Sequence, residues 1–404
     1  MKKVMIKLGG LKHLGELRWI DALDIYDEIY CISSFKEYIW DIPDKRIKKC
    51  IVSRTFINRC IFWGLDYTKK YRVCNLISKI LIKMFRMCNV EWLKSLRNIN
   101  SEFVLCSYGD YDYSDIMLVL TEGYLNGIIV RAIKETRPEY NYLEQLALKK
   151  SDIISLYCND LQKFIEKKYG KNIWDNKRIK IGIDENYLSS AVINKINYKP
   201  KLSSKDNLIH IVLMTYRADS MPLRDRDKYR YYYIELIKEL ISYGYVVHMH
   251  CKQFINNGGI NQYKILEKEY KGAFIIEEPL EMRRDASLQE WIKSCEFLSR
   301  YDVGILHNIM PDNNVSVFDR INIPHRYFAY EAAHVIPIIK RGENIVLERI
   351  FETQGRGFVF DNYQDIEKIG CKNYVFETVS YKDYLLELRD ISINYRNTLG
   401  KGTI

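Results

Sequence analysis

Pro324, His325 and Arg326 stand where a polar loop runs into a helix-spaced segment, and no other stretch is better suited to holding an anion. Proline suits the opening turn of a helix, because the N–H it lacks had no intrahelical acceptor there. The remaining first-turn N–H groups point out of the helix end and, with the helix dipole, favour negative charge. A guanidinium and an imidazole in the same turn fit that end for a diphosphate. Arg217 follows the strand-like run 209–214, with Arg224, Arg226, Lys228 and Arg230 crowding the residues beyond it. Two readings are open for these bases: they offset phosphate charge, or they form a solvated face balanced by Asp219, Asp225 and Asp227. His307 ends the run 302–307 and either faces the same ligand or is hydrogen-bonded at the core edge.

The first half offers a different chemistry. Gly9-Gly10 closes an apolar run, and a glycine pair lets backbone come close to a ligand. His13, just beyond, acts as a base, as a hydrogen-bonding group, or as an exposed loop residue. Tyr108 opens the stretch Tyr-Gly-Asp-Tyr-Asp-Tyr-Ser-Asp after the run 103–107. Asp110 or Asp112 there could deprotonate an acceptor hydroxyl, against the plainer reading of turn residues. The spacing of the three aspartates builds no octahedral cage for a cation.

Positioning these residues takes two α/β layers. Strand-like runs occur at 3–8, 28–33, 48–52, 103–107, 127–132, 153–157 and 179–183. Most are continuously apolar and rich in β-branched residues, as parallel strands covered on both faces are. Residues 197–206, with Pro200, paired serines and alternating charge, read as a linker. The pattern then restarts with strands at 209–214, 246–251, 274–277, 302–307, 336–340 and 358–360, and a closing helix at 382–399. The expected fold is therefore two Rossmann-like βα domains, 1–196 and 207–381, with a C-terminal helix (382–404) returning towards the first. Sheets of this kind bind ligands outside the carboxyl ends of their strands where strand order reverses, so two facing domains would share a cleft.

Composition narrows the class. The chain has 404 residues, 47% hydrophobic and 28% charged, which is enough for two packed cores and far from disorder. No apolar run is long enough to span a bilayer, and the N-terminal run before Gly9 is too short for a signal peptide, so a cytoplasmic protein is expected. Ten scattered cysteines without a Cys-x-x-Cys pair read as reduced buried thiols, with neither zinc nor disulfides. The net charge of +10 is concentrated in the first half: residues 69–100 carry eight Lys/Arg against Glu91. Their apolar positions follow helical spacing, and Lys45 to Arg59 adds six more bases without an acid. Such a segment suits an anionic inner-membrane surface, with a solvated face of a core helix as the plainer alternative.

The stretch 302–340 also resembles a known family. Pro324, Arg326, Phe328, Tyr330, Ala332, Ala333, Pro337 and Ile338 follow in order the string P-x-K/R-x-F-E-Y-x-A-x-G-x-P-V-I of the donor domain of two-domain, GT-B-type glycosyltransferases. The Gly9-Gly10 loop and the run at 149–165 are similar to their counterparts in such enzymes. The resemblance implies transfer of a sugar from a nucleotide-diphosphate sugar to a hydroxyl of a glycan or lipid-linked acceptor, in surface-polysaccharide synthesis and with retention. It further implies donor contacts at Arg217, His307, Pro324, His325 and Arg326, acceptor contacts around Gly9, Gly10, His13 and Tyr108, and neither metal nor cofactor. Two departures stand out. Ala329 occupies the place of the ribose-binding Glu, and His334 that of a Gly, with one extra residue before Pro337. Glu331, about 200° further round an ideal helix, takes over the donor contact if the register slips. A sugar-nucleotide epimerase of the same fold, a non-catalytic glycan-binding protein and a nucleic-acid binder using the basic and tyrosine-rich composition are the competing readings.

Overall fold

The computed structural model describes residues 2–9, 15–33, 44–53, 55–69, 71, 74–107, 113–133, 136, 139–182, 187–221, 231–255, 261–282, 286–306, 320–371, 373–376 and 379–399. The chain divides into two units, Met1–Ser190 with Ser380–Ile404, and Ala191–Val379.

The first unit is built on seven strands: β1 (Val4–Leu8), β2 (Glu28–Ser33), β3 (Ile47–Ile51), β4 (Asn100–Ser107), β5 (Asn126–Ile133), β6 (Ile153–Leu156) and β7 (Arg178–Ile181). All pair in parallel, in the order β3-β2-β1-β4-β5-β6-β7. The inner strands β1, β4, β5 and β6 are mostly buried, as their continuous apolar runs require, whereas the edge strands β3 and β7 are partly exposed. The C-terminal helix Tyr381–Thr398 belongs to this unit. It opens with a Ser380–Asp383 capping box and sinks Tyr384, Leu385 and Leu388 into the core formed with Met5, Tyr26 and Phe103.

The second unit carries β8 (His210–Asp219), β9 (Val246–Ile255), β10 (Phe274–Glu277), β11 (Val303–Ile305), β12 (Ile336–Lys340) and β13 (Phe358–Phe360). Their order, β10-β9-β8-β11-β12-β13, is the doubly wound arrangement whose direction reverses between β8 and β11. Residues 197–206 are part of this unit and not a free linker. Asn197 N–H donates to Glu296 (3.1 Å), Lys199 N–H to Ser299 Oγ (2.9 Å), and Lys201 Nζ to the carbonyls of Tyr301 (2.6 Å) and His334 (2.7 Å). Those two carbonyls follow the ends of the helices Leu288–Leu298 and His325–Ala332, where a cation offsets the negative end of the dipole.

Candidate nucleotide-binding site

β11 ends beside the middle of β8, so the carbonyls of Met214 and Leu306 and the helix that follows β11 converge at the reversal of strand order. A cavity of about 360 Å³ lies there. Its walls are Met214, Thr215 and Tyr216 of β8, His250 and Lys252 of β9, Pro279, Leu280 and Met282 after β10, Leu306 after β11, and Asn322, Pro324, His325 and Arg326 at the helix start, with Tyr231 and Tyr233.

Three of the expected donor residues line it: Pro324, His325 and Arg326. Pro324 is the N-cap and not the first helical residue; its extended ψ of 143° turns the chain into the helix, and its carbonyl accepts from Tyr327 N–H (2.9 Å). His325 rests its ring against Trp291 at 5.5 Å. The Arg326 guanidinium donates to the carbonyls of Met214 (3.2 Å) and Leu306, joining the middle of β8 to the end of β11 and fixing a positive charge at the cavity wall. Nearby Glu343 does little to cancel that charge. Burial pushes its carboxyl up to about 9, against the opposing pull of Lys340 and Arg326, so it is largely neutral at pH 7.

Two expected donor residues lie elsewhere. Arg217 is on the extension of β8 beyond Thr215, where its Nε donates to Asp219 (2.8 Å) and its guanidinium lies over the Tyr231 ring at 5.6 Å; it does not line the cavity. Glu331 is also absent from the walls. It sits about 140° round the helix from Arg326 and faces the interior, where Arg356 Nε and Nη2 each donate to it at 2.7 Å and Tyr327 Oη donates at 2.7 Å. A carboxylate with two guanidinium bonds in a buried setting is committed to the fold, so Glu331 does not replace the missing Glu. Ala329 is fully buried.

His334 is explained by backbone geometry. The position that ends the helix has φ 54°, a left-handed conformation that glycine adopts most readily. Here the imidazole is stacked between Tyr198 (4.2 Å) and Phe376 (4.9 Å), contacts that a glycine could not make and that hold it there. The additional Val335 is buried, and its N–H bonds the Tyr330 carbonyl (2.9 Å).

Gly9 of the expected acceptor loop has φ 91° at the carboxyl end of β1, and its N–H donates to Ile32 (2.9 Å). A side chain would be strained there. His13, Gly10, Tyr108, Asp110 and Asp112 lie outside the described residues, as do His307, Arg224, Arg226, Lys228 and Arg230.

Tyr330, of the matching string, does not line the cavity; its Oη donates to Val212 O (3.5 Å) and accepts from Met214 N–H (3.3 Å), bracing β8 from behind the wall. Among the wall residues not singled out in the sequence, His250 is the most constrained. Its Nδ1 donates to the Glu278 carbonyl (2.6 Å), which leaves Nε2 to accept from Tyr301 Oη (2.9 Å) in the neutral ring. This ties down the start of the Glu278–Leu280 wall, and burial pushes the His250 pKa down to about 4. Behind it, His248 bonds Glu277 (2.8 Å) and His210 (2.8 Å), which reaches Asp206 (3.1 Å). Burial lowers the His248 pKa in spite of Glu277. The only sequence signal was that His210 and His250 lie near the ends of apolar runs; His248 had none.

Among the described residues no group of three or more His, Cys, Asp or Glu is placed to hold a metal ion. The described cysteines are free thiols; contrary to the expectation of burial, Cys60 and Cys88 are exposed. No described helix is long and apolar enough to cross a membrane.

No protein-family model and no curated protein matches the sequence. Similar solved structures include an α,α-trehalose-phosphate synthase (UDP-forming) from Burkholderia vietnamiensis, at 9% identity and TM-score 0.46 over 99% of each chain. Another, described as trehalose-6-phosphate from E. coli bound with UDP-2-fluoro glucose, is 10% identical with TM-score 0.47 over 100% of each chain. UGT89C1 of Arabidopsis thaliana complexed with UDP-L-rhamnose is 9% identical with TM-score 0.42, covering 98% of this chain and 94% of that one.

Proposed function

We propose that this protein is a glycosyltransferase that takes a sugar from a nucleotide-diphosphate sugar and delivers it, with retention, to a hydroxyl of a glycan or lipid-linked acceptor in surface-polysaccharide synthesis. The carrying observation is the cavity at the β8/β11 reversal, walled by a helix start and by Arg326. Its volume matches a small-molecule site, and its mixed aromatic and cationic lining suits a nucleoside diphosphate. The likeness of residues 324–339 to a donor-domain string supports the same reading.

In this reading Arg326, the first helical turn and Lys252 surround the diphosphate. They stabilise it as the bond to the anomeric carbon lengthens and charge passes to the leaving oxygen. The departing phosphate oxygen takes the acceptor proton, so no enzymic nucleophile is needed in the second unit. The Glu278–Leu280 wall, anchored by His250, flanks the nucleoside. Gly9 and its neighbours at the end of β1 receive the acceptor in the first unit. Incubation with a panel of nucleotide sugars tests the assignment. Release of a nucleoside diphosphate that rises with added acceptor glycan supports transfer; interconversion of the free sugar nucleotides without release identifies an epimerase instead.

A further inference from the structure

The helices Phe56–Thr68 and Asn75–Cys88 of the first unit turn apolar side chains towards solvent. Ten of the 21 exposed large apolar side chains among the described residues fall between Phe56 and Met87, so they form a cluster and not the usual scatter. Phe56 is 80% exposed, Trp63 71%, Tyr67 71% and Leu76 68%. The second of these helices is inverted relative to an ordinary surface helix: of its fourteen residues only Ser78 and Phe85 are buried. Phe85, with Leu81 and Ile82 beside it, packs on the core, and polar contacts complete the inward side. Ser78 Oγ meets Thr68 Oγ1 at 2.8 Å, and Arg86 Nη2 reaches in to the Val119 carbonyl at 2.8 Å. Phe85, Leu93 and Leu96, apolar residues of the basic segment 69–100, point inward, and the exposed face is completed by the preceding helix.

The two outward stripes lie side by side. Gly64 faces Leu81 so closely that a Cβ on Gly64 would stand 2.7 Å from Leu81 Cδ1. Tyr67 flanks Gly64 one turn on, and Ile77 and Met84 flank Leu81, so exposed residues border the contact line from both helices. Residues 56–88 hold seven Lys/Arg and the single acid Asp66, and Arg59, Lys79 and Lys83 are exposed on the two helices. Asp66 is paired with Lys69 at 2.8 Å.

We infer that this two-helix plate is a docking surface for an anionic lipid bilayer, with Phe56, Trp63, Tyr67, Leu76 and Ile80 entering the interface and Lys79 and Lys83 meeting the headgroups. Aromatic and aliphatic residues beside exposed lysines are what an in-plane interfacial helix presents, and the basic charge selects a negative surface over a neutral one. The surface deepens the proposal of a lipid-linked acceptor and takes its biological sense from it, while its physical basis is independent of the nucleotide cavity.

Flotation of the full chain with vesicles tests it, using equal phosphatidylglycerol and phosphatidylcholine in one arm and phosphatidylcholine alone in the other. The protein should float with the first, weakly with the second, and detach as salt rises. Lys79→Gln with Lys83→Gln should lower partitioning about 30-fold, from roughly one kcal/mol per charge. Trp63→Ser should lower it at least about tenfold through lost apolar area. Tyr243→Ser, an exposed site in the other unit, should leave it unchanged. Binding to neither vesicle, equal binding to both, or a dimer that Trp63→Ser dissociates would overturn the inference. Nucleotide binding, measured on the same variants, should be untouched. Its absence in all of them together with intact flotation would count against the transferase proposal alone.

Discussion

His250 offers a quantitative test of how the cavity wall is held. Its folded pKa of about 4 lies below the ordinary 6.5 because the ring is buried, in spite of the Nδ1–H bond to the Glu278 carbonyl, which favours the charged form. A base with a depressed folded pKa is protonated first in the unfolded chain. Stability is therefore intact above 6.5 and falls as pH drops towards 4, where the unfolded state binds more protons. Between pH 7 and pH 5 the loss comes to about 2 kcal/mol, taking about 1.4 kcal/mol per pKa unit. His250→Gln keeps a donor and an acceptor but cannot charge, so it should be less stable at pH 7 and lose none of this increment. Urea unfolding of both proteins at the two pH values gives the comparison. The wild-type advantage should shrink by about 2 kcal/mol from pH 7 to pH 5. An unchanged advantage, or an NMR titration placing the His250 pKa near its ordinary value, would refute the fixed-tautomer argument.

Other consequences are simpler. Arg356→Met leaves the Glu331 carboxylate buried without its guanidinium and should cost about 3–5 kcal/mol of stability, seen in denaturant midpoints. Nucleotide affinity per folded molecule should be retained, since Glu331 does not line the cavity. Gly304→Ala puts a methyl 2.5 Å from the Tyr330 ring and should cost about 1–3 kcal/mol while weakening nucleotide binding through Met214 of β8; thermal unfolding and a binding isotherm check the two effects. Lys201 has its pKa lowered by burial to about 8, so wild type should gain stability over Lys201→Met as pH rises from about 8 towards the ordinary 10.5. Unfolding midpoints across that range show whether the gain occurs.

The strands were legible because parallel strands covered on both faces must be continuously apolar, and each run in the sequence corresponds to a strand. What lies beyond the apolar part was hidden. β8 continues to Asp219 and β9 to Ile255 through polar residues, since the ladder pairs Arg217 with Gln253 whatever their side chains. The helix start with Pro324 to Arg326 was readable from local order alone. Glu331 was not, because its partner Arg356 is far along the chain and nothing in the helix announces it. The same holds for His210, His248 and His250, whose partners come from other strands and the segments between them. Polar composition misread residues 197–206 as a linker, although Tyr198 and Lys201 anchor them by stacking and by capping carbonyls. Helical period located the basic amphipathic segment but could not say which side faces inward.

Calorimetric titration with uridine, guanosine and adenosine diphosphates, on wild type and Arg326→Ala, most directly tests the claim that the second unit's cavity holds a nucleoside diphosphate. At least one of the three should bind saturably at one site, more tightly than its monophosphate. Arg326→Ala should weaken it at least tenfold, the least expected for losing a charge-assisted hydrogen bond worth about 1.5–3 kcal/mol. No binding of any diphosphate, or equal affinity in the variant, would contradict it.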